Sequence, residues 1–138
     1  MKILIDTNIV LDVMLKRNPF YKMSLEILSL AKKDDIEEYV SSSAITDIYY
    51  IAYRQLRDKV MVKRLMKELL TVVSVASVSE QEIENALSLD WDDFEDSVQY
   101  SVAYLQEMDG IVTRNIDDYK GAQIKVWKPE ELLELQGE

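Results

Sequence analysis

The sequence contains no cysteine and no histidine. Without cysteine there is no disulfide, no thiol nucleophile, no iron–sulfur cluster and no cysteine-ligated zinc site. Without histidine there is no Ser-His-Asp triad, no imidazole acid–base catalysis and no HExxH-type zinc site. A catalyst built from this sequence must use carboxylate, hydroxyl, amide or amine groups. Carboxylates bind hard cations such as Mg²⁺, Mn²⁺ and Ca²⁺.

Glycine and proline are also scarce, at 3 and 2 of 138 residues. Together with 48% hydrophobic and 30% charged residues, this excludes collagen-like, low-complexity and disordered chains. The length favours a single domain over residues 1–138. The apolar run Ile3–Ile5 is too short for a signal sequence, and no run approaches the roughly 20 residues of a membrane span. We therefore expect a soluble cytoplasmic protein without a membrane segment.

Strand-like and helix-like segments alternate along the chain. Short, largely apolar runs predict five strands: Lys2–Ile5, Glu37–Ser42, Val72–Val75, Gly110–Thr113 and Ile124–Trp127. Amphipathic segments predict helices at Asn8–Leu15, 20–33, Ala44–Arg57, Lys59–Leu70, Ser79–Leu89, Phe94–Met108 and from Pro129 onward. Ser79 and Glu82 match a capping box, and Asp93 is a predicted N-cap. The alternation predicts an α/β protein with a mainly parallel central sheet.

Four aspartates that are distant in sequence are expected at one edge of this sheet. Asp6 follows the first strand, Asp47 lies in the helix after the second, Asp96 precedes the fourth, and Asp118 follows it. Ligand sites of open α/β sheets lie beyond the carboxyl ends of the strands. Clustered carboxylates repel one another, and a divalent cation removes that cost. The pattern predicts a metal site that activates water for attack on a phosphodiester.

Four segments resemble the PIN domain family. Ile3–Asn8 resembles the opening segment of the family, and Ile45–Tyr50 resembles the segment with its second acid. Asp93–Ser97 and Ile111–Asn115 resemble the segments with the third acid and before the fourth. Their order and spacing agree over nearly the whole chain.

The resemblance implies a three-layer α/β/α fold and a metal-dependent endoribonuclease that uses Mg²⁺ or Mn²⁺ to hydrolyse RNA phosphodiester bonds. Small members of this kind are commonly VapC-like toxins of type II toxin–antitoxin pairs. The resemblance therefore also implies a homodimer and a cognate antitoxin that occludes the site.

The resemblance assigns catalytic and metal-ligand roles to four acids: Asp6, Asp47, Asp96 and Asp118. Asp47 stands where many relatives have glutamate, and Asn115 where many have an acid, so a three-acid site or a weakly active enzyme stays open. Asp118 is preferred to Asp117 as the fourth acid. Supporting roles in orienting groups, capping or supplying oxygen are expected for Thr7, Asn8, Asp93, Thr113, Asn115 and Asp117.

The basic segment 54–67 and the absence of a phosphatase motif bear on which function the chain has. The net charge of −10 disfavours RNA binding by the chain as a whole, but residues 54–67 carry six basic side chains and one acid. This segment suits RNA, an acidic antitoxin or merely solvent. Asp6 is followed by Asn8 rather than Asp, so the DxDxT pattern of aspartyl-phosphate phosphatases is absent. The alternative to a nuclease is a non-catalytic PIN-like module that binds RNA or protein.

Overall fold

The computed structural model describes residues 1–137 and has a five-stranded sheet at its centre. The strands are β1 (Lys2–Ile5), β2 (Glu37–Ser41), β3 (Ser74–Ala76), β4 (Gly110–Val112) and β5 (Lys125–Trp127). Their order across the sheet is β3-β2-β1-β4-β5, and every neighbouring pair is parallel. The predicted α/β class with a parallel central sheet is confirmed.

Helices cover both faces of the sheet. They are α1 (Thr7–Met14), α2 (Tyr21–Ser29), α3 (Ser42–Leu56), α4 (Lys59–Leu69), α5 (Glu80–Ser88), α6 (Phe94–Leu105) and α7 (Pro129–Gln136). Single 3-10 turns occupy Leu30–Lys32 and Ile116–Tyr119. Within residues 1–137, no helix combines the length and the apolar character needed to cross a lipid bilayer.

The apolar run of β1 reflects burial of this central strand on both faces. Ile3 and Ile5 point into the core formed with α1, α2, α3, α4 and α7, whereas Leu4 points into the core formed with α5 and α6. All three side chains are fully buried. Burial of each contributes about 1.5–3 kcal/mol. The helices thus form two layers around the sheet, as the three-layer expectation requires.

The structure confirms the two helix caps predicted at Ser79 and Asp93. The Glu82 carboxylate accepts hydrogen bonds from the N–H of Ser79, at 2.8 Å, and from its hydroxyl. Asp93 Oδ1 accepts the N–H of Asp96 at 2.9 Å and caps α6. Both caps satisfy backbone donors that a helix start leaves without partners.

The third strand begins later than predicted. It spans Ser74–Ala76 rather than Val72–Val75. The N–H groups of Val72 and Val73 donate to the carbonyl of Leu69 at 2.9 and 3.0 Å, so these valines close the end of α4 instead of entering the sheet. β-Branched residues favour strands, which is why the sequence predicts a strand here. In the structure, the backbone N–H groups of these residues instead donate to the end of the helix.

The strand order reverses at the carboxyl ends of β1 and β4, which is where open parallel sheets form a crevice. The chain passes from β1 through β2 to β3 on one side, and later returns to place β4 on the other side of β1. Asp6, the residue after β1, donates its N–H to the carbonyl of Val112 at 3.1 Å. Ligands of open parallel sheets bind at such a reversal of strand order.

Candidate active site

Asp6 occupies the centre of the crevice, where β1 ends and α1 begins. Its carboxylate is buried, with 8% of the residue exposed. Oδ1 accepts the N–H of Thr7 at 2.7 Å and Nε2 of Gln99 at 3.4 Å, while Oδ2 accepts the Thr113 hydroxyl at 2.7 Å. Burial raises the pKa of Asp6, and the contacts with Thr113, Thr7, Gln99 and Tyr119 oppose that rise. The site therefore holds a buried carboxylate with a fixed orientation.

Polar groups on α1 and after β4 surround this carboxylate. The Thr113 hydroxyl accepts the N–H of Asn115 at 3.1 Å, and Nδ2 of Asn8 lies 3.5 Å from it. The hydroxyl oxygen of Thr7 and the amide oxygen of Asn8 are buried, and neither has a hydrogen-bond partner among residues 1–137. Buried polar atoms without a partner are costly, and they mark a place where a further polar group or ion fits.

Asp96 and Asp118 share the electrostatic environment of Asp6. Burial, followed by the charges of Asp93, Asp6 and Asp118, raises the pKa of Asp96 to about 7. Burial and then the charges of Asp6, Asp96 and Asp118 also raise the pKa of the buried Tyr119 hydroxyl. The charges of three of the four predicted acids therefore act on one buried hydroxyl.

The neighbouring acid, Asp117, behaves differently. Its side chain is exposed, and its charge is not among those that raise the pKa of Asp96 or Tyr119. Asn115 is also exposed and contacts the site through its backbone N–H. Between the two acids of this loop, Asp118 is the one whose charge reaches the crevice.

Asp47 contacts Glu95, an acid to which the sequence analysis assigned no role. Burial, followed by contact with and the charge of Asp47, raises the pKa of Glu95 to about 7, with smaller effects of Asp93 and Asp96. Asp47 therefore contacts Glu95, whereas its charge is not among those that act on Asp6, Asp96 or Tyr119. The run of three acids within residues 93–96 was the signal that could have identified Glu95.

The donor set fits a hard divalent cation. Its atoms are carboxylate, hydroxyl and amide oxygens, which are the ligands of Mg²⁺ and Mn²⁺. Burial and, after it, repulsion by Asp93, Asp6 and Asp118 raise the pKa of Asp96, and a cation would relieve the repulsion. As the side chains stand, no three acids within residues 1–137 converge closely enough to hold one ion. Binding would require the carboxylates to move together.

The cationic residue beside the crevice turns away from these acids. Arg114 Nε and Nη2 donate to the two carboxylate oxygens of Asp12 at 2.8 and 3.2 Å. Asp12 is fully buried and also accepts the Ser24 hydroxyl at 3.0 Å. The guanidinium lies 3.8 Å from the ring centroid of Phe20. Arg114 therefore anchors the segment after β4 to α1 and α2. Within residues 1–137, no ion pair neutralises the carboxylates around Asp6.

Comparison with known proteins points to one family. A sequence model of the PIN domain family matches residues 2–117. The chain is 25% identical to Ribonuclease VapC1 of Aquifex aeolicus over 138 residues, which cover 96% of this chain and 94% of that protein.

Solved structures of toxin–antitoxin complexes share the fold. VapBC-1 from nontypeable Haemophilus influenzae matches with a TM-score of 0.71 and 15% identity, over 94% of this chain and 99% of that chain. VapBC2 from Rickettsia felis, bound to a promoter DNA fragment, matches with a TM-score of 0.68 and 19% identity, over 93% and 100%. At this identity, the likeness shows the fold.

Proposed function

Since the chain belongs to the PIN domain family, we propose that it is a divalent-metal-dependent endoribonuclease and the toxin of a type II toxin–antitoxin pair. One observation carries the proposal. Asp6, Asp96 and Asp118 raise the pKa of the same buried hydroxyl and lie at the carboxyl edge of the central strands. The relative named Ribonuclease VapC1 supports RNA as the substrate. We take residues 1–138 as a single PIN-like domain.

The residues that would hold Mg²⁺ or Mn²⁺ are Asp6, Asp47, Asp96 and Asp118, and Glu95 is close enough to Asp47 and Asp96 to assist. A bound ion of this kind polarises a phosphate oxygen and lowers the pKa of a bound water. The protein itself supplies the rest. Thr113 and the Thr7 N–H orient the Asp6 carboxylate and favour its ionised form.

The hydroxyl of Thr7 and the amide oxygen of Asn8 are the groups available to orient water or a phosphate. Both are buried beside Asp6 and have no partner within residues 1–137. Asp93 serves as the cap of α6, which holds Asp96 in the first turn of that helix. This cap stabilises the first turn of α6 and with it the backbone position of Asp96.

An antitoxin partner is supported by an apolar groove at the C-terminal end of α1. The groove has a volume of about 620 Å³ and lies between α1, α2 and α4. Its apolar lining includes Val13, Met14, Leu25, Leu65 and Leu69. An amphipathic partner helix buries its apolar face in a groove of this kind. We propose that an antitoxin segment occupies it, because the structural neighbours include VapBC complexes.

The homodimer that the family resemblance implies is also part of the proposal. Light scattering of the purified chain, alone and with its antitoxin, measures the mass of each assembly. A monomer at all concentrations would remove the homodimer from the proposal and leave the nuclease activity untouched.

The activity is tested by incubating the purified chain with a mixed pool of tRNA and ribosomal RNA. We expect cleavage with Mg²⁺ or Mn²⁺, none with EDTA, and none by Asp6→Asn. Asp34→Asn, which alters an exposed turn remote from the crevice, is the matched control and should cleave normally. Equal cleavage by Asp6→Asn would refute the site. RNA binding without metal-dependent cleavage would favour the non-catalytic module.

A further inference from the structure

Gln99 is a buried amide that connects two elements of the active-site edge. It lies on α6, and only 1% of the residue is exposed. Its Oε1 accepts the hydroxyl of Ser41 at 2.5 Å, and its Nε2 donates to Oδ1 of Asp6 at 3.4 Å. The end of β2, the middle of α6 and the end of β1 are thus joined by side-chain hydrogen bonds.

The start of α3 fixes the orientation of this amide. Ser41 Oγ accepts the N–H of Ala44 at 3.1 Å and lies 3.1 Å from Ser43 Oγ. The Ser41 hydroxyl has one proton, and an ionised Asp6 can only accept, so Gln99 must turn its NH₂ group toward Asp6 and its oxygen toward Ser41. Ser41 then donates to Gln99, and Ser43 donates to Ser41. The hydrogen-bond donors and acceptors of Asp6, Gln99, Ser41 and Ser43 are therefore compatible with only one orientation of the Gln99 amide.

The donors around Asp6 leave one side of its carboxylate open. An ionised carboxylate offers about four lone-pair positions. Thr7 N–H and Gln99 Nε2 fill both positions on Oδ1, whereas Thr113 fills one on Oδ2. The Tyr119 hydroxyl also lies near Asp6 and lowers its pKa, but this hydroxyl forms no hydrogen bond within residues 1–137. The position that no hydrogen-bond donor fills is therefore on Oδ2.

We propose that Gln99 is a positioning residue for the metal site: by occupying Oδ1 of Asp6, it leaves Oδ2 as the oxygen that is available to a cation. The inference rests on the proposed function, because it requires Asp6 to bind a metal. It goes beyond a packing role, since a methionine would fill nearly the same volume without donating a hydrogen bond.

The test measures binding of Mn²⁺ alone to the purified full chain by calorimetry, together with the thermal unfolding midpoint in EDTA. Gln99→Met should weaken Mn²⁺ binding by about 10- to 100-fold, the usual effect of removing a partner that orients a ligand. Cleavage of RNA should return toward the wild-type level at saturating Mn²⁺. Gln106→Met is the matched control: Gln106 caps the same helix and donates to the carbonyl of Ser77, away from Asp6.

A second pair of variants tests the inference if Gln99→Met does not fold. Ser41→Ala removes the group that orients the amide together with the cap of α3, whereas Asp58→Ala removes an equivalent cap from α4. Only Ser41→Ala should weaken Mn²⁺ binding. If Gln99→Met folds and binds Mn²⁺ as the wild type does, the inference fails. If Gln99→Met does not fold, the same result with Ser41→Ala overturns the inference. In either case the proposed function would still stand. A wild-type chain that binds no Mn²⁺ overturns both.

Discussion

The hydroxyl of Thr113, at the end of β4, donates a hydrogen bond of 2.7 Å to Oδ2 of Asp6, at the end of β1. The same hydroxyl accepts the N–H of Asn115. Thr113 is fully buried, so solvent does not compete for these contacts. A residue that resembles a simple strand terminus thus orients the central carboxylate and also holds the loop that carries Asp118.

Replacing Thr113 by valine should impair the site with little change in shape. Asp6 would lose its shortest side-chain donor, and the Asn115 N–H would lose its acceptor. We expect a loss of about 1–3 kcal/mol in the free energy of unfolding, and a fall in metal-dependent RNA cleavage of about 10- to 100-fold. Chemical denaturation and a cleavage assay measure the two effects. Thr113→Ser, which keeps the hydroxyl, should stay close to the wild type; if serine and valine behave alike, the hydrogen bond is unimportant.

The stability of the chain should fall as the pH rises, because of Glu38. This residue is 2% exposed, and neither carboxylate oxygen has a partner within residues 1–137. Burial raises the pKa of Glu38 from 4.5 to about 9. Between these pKa values the folded chain binds more protons than the unfolded chain. The contribution of protonated Glu38 to the free energy of unfolding is therefore complete below about pH 4.5 and is lost as the pH rises toward 9.

Glu38→Met should remove the contribution of Glu38 to this pH dependence and stabilise the chain, while Glu95 and Asp96, whose pKa values are raised to about 7, keep theirs. We expect a gain of about 1–3 kcal/mol at pH 8, because an unpaired polar group no longer has to be buried. Denaturant unfolding at pH 6 and pH 8 measures it, and the gain should be larger at pH 8. Glu37→Met, at an exposed position on the same strand, is the control and should show no such difference. An equal gain at both pH values would contradict the explanation by titration.

Gly110 should tolerate no side chain, because Trp127 on the adjacent strand lies against it. A Cβ on Gly110 would stand 2.5 Å from Trp127 Cζ3 and 2.6 Å from the carbonyl oxygen of Lys125. Gly110→Ala should therefore lower the free energy of unfolding by about 1–3 kcal/mol. Gly137→Ala, just after α7, meets its nearest atom at 3.1 Å and should change stability far less. Thermal unfolding of both variants provides the comparison.

The six basic side chains of residues 54–67 are all exposed, and the one ion pair within residues 1–137 lies elsewhere, between Arg114 and Asp12. Lys59, Lys63 and Lys67 are four residues apart and share one face of α4. Changing all three to glutamine should weaken RNA binding in the Asp6→Asn background. The slope of log K against log salt should fall by about 0.7 to 0.9 for each lysine that contacts a phosphate.

A matched triple variant outside both surfaces, Lys2→Gln with Lys22→Gln and Lys125→Gln, changes three exposed lysines and controls for the change in net charge. If RNA binding is unaffected while binding of an acidic antitoxin weakens, the basic face belongs to the antitoxin. If neither changes, the face is only solvated.

Several local features could be predicted because their causes are local. The β1 run, the Ser79 capping box and the Asp93 cap depend on neighbouring residues, and the structure has all three. The start of β3 could not be predicted, because propensity does not reveal that the end of α4 takes the donors of Val72 and Val73.

The sequence by itself determined which side chains are available: it has no cysteine and no histidine, so carboxylates, hydroxyls and amides are the candidate ligands for a hard cation. It also determined the strand–helix alternation, and hence the sheet edge at which such residues meet. Only the tertiary structure decided that Gln99 and Thr113 orient Asp6, that Glu95 lies beside Asp47, and that Arg114 pairs with Asp12 rather than with the acids. These contacts join residues far apart in the chain, and their partners follow from the packing of α6 and β4 against β1, which no local pattern encodes.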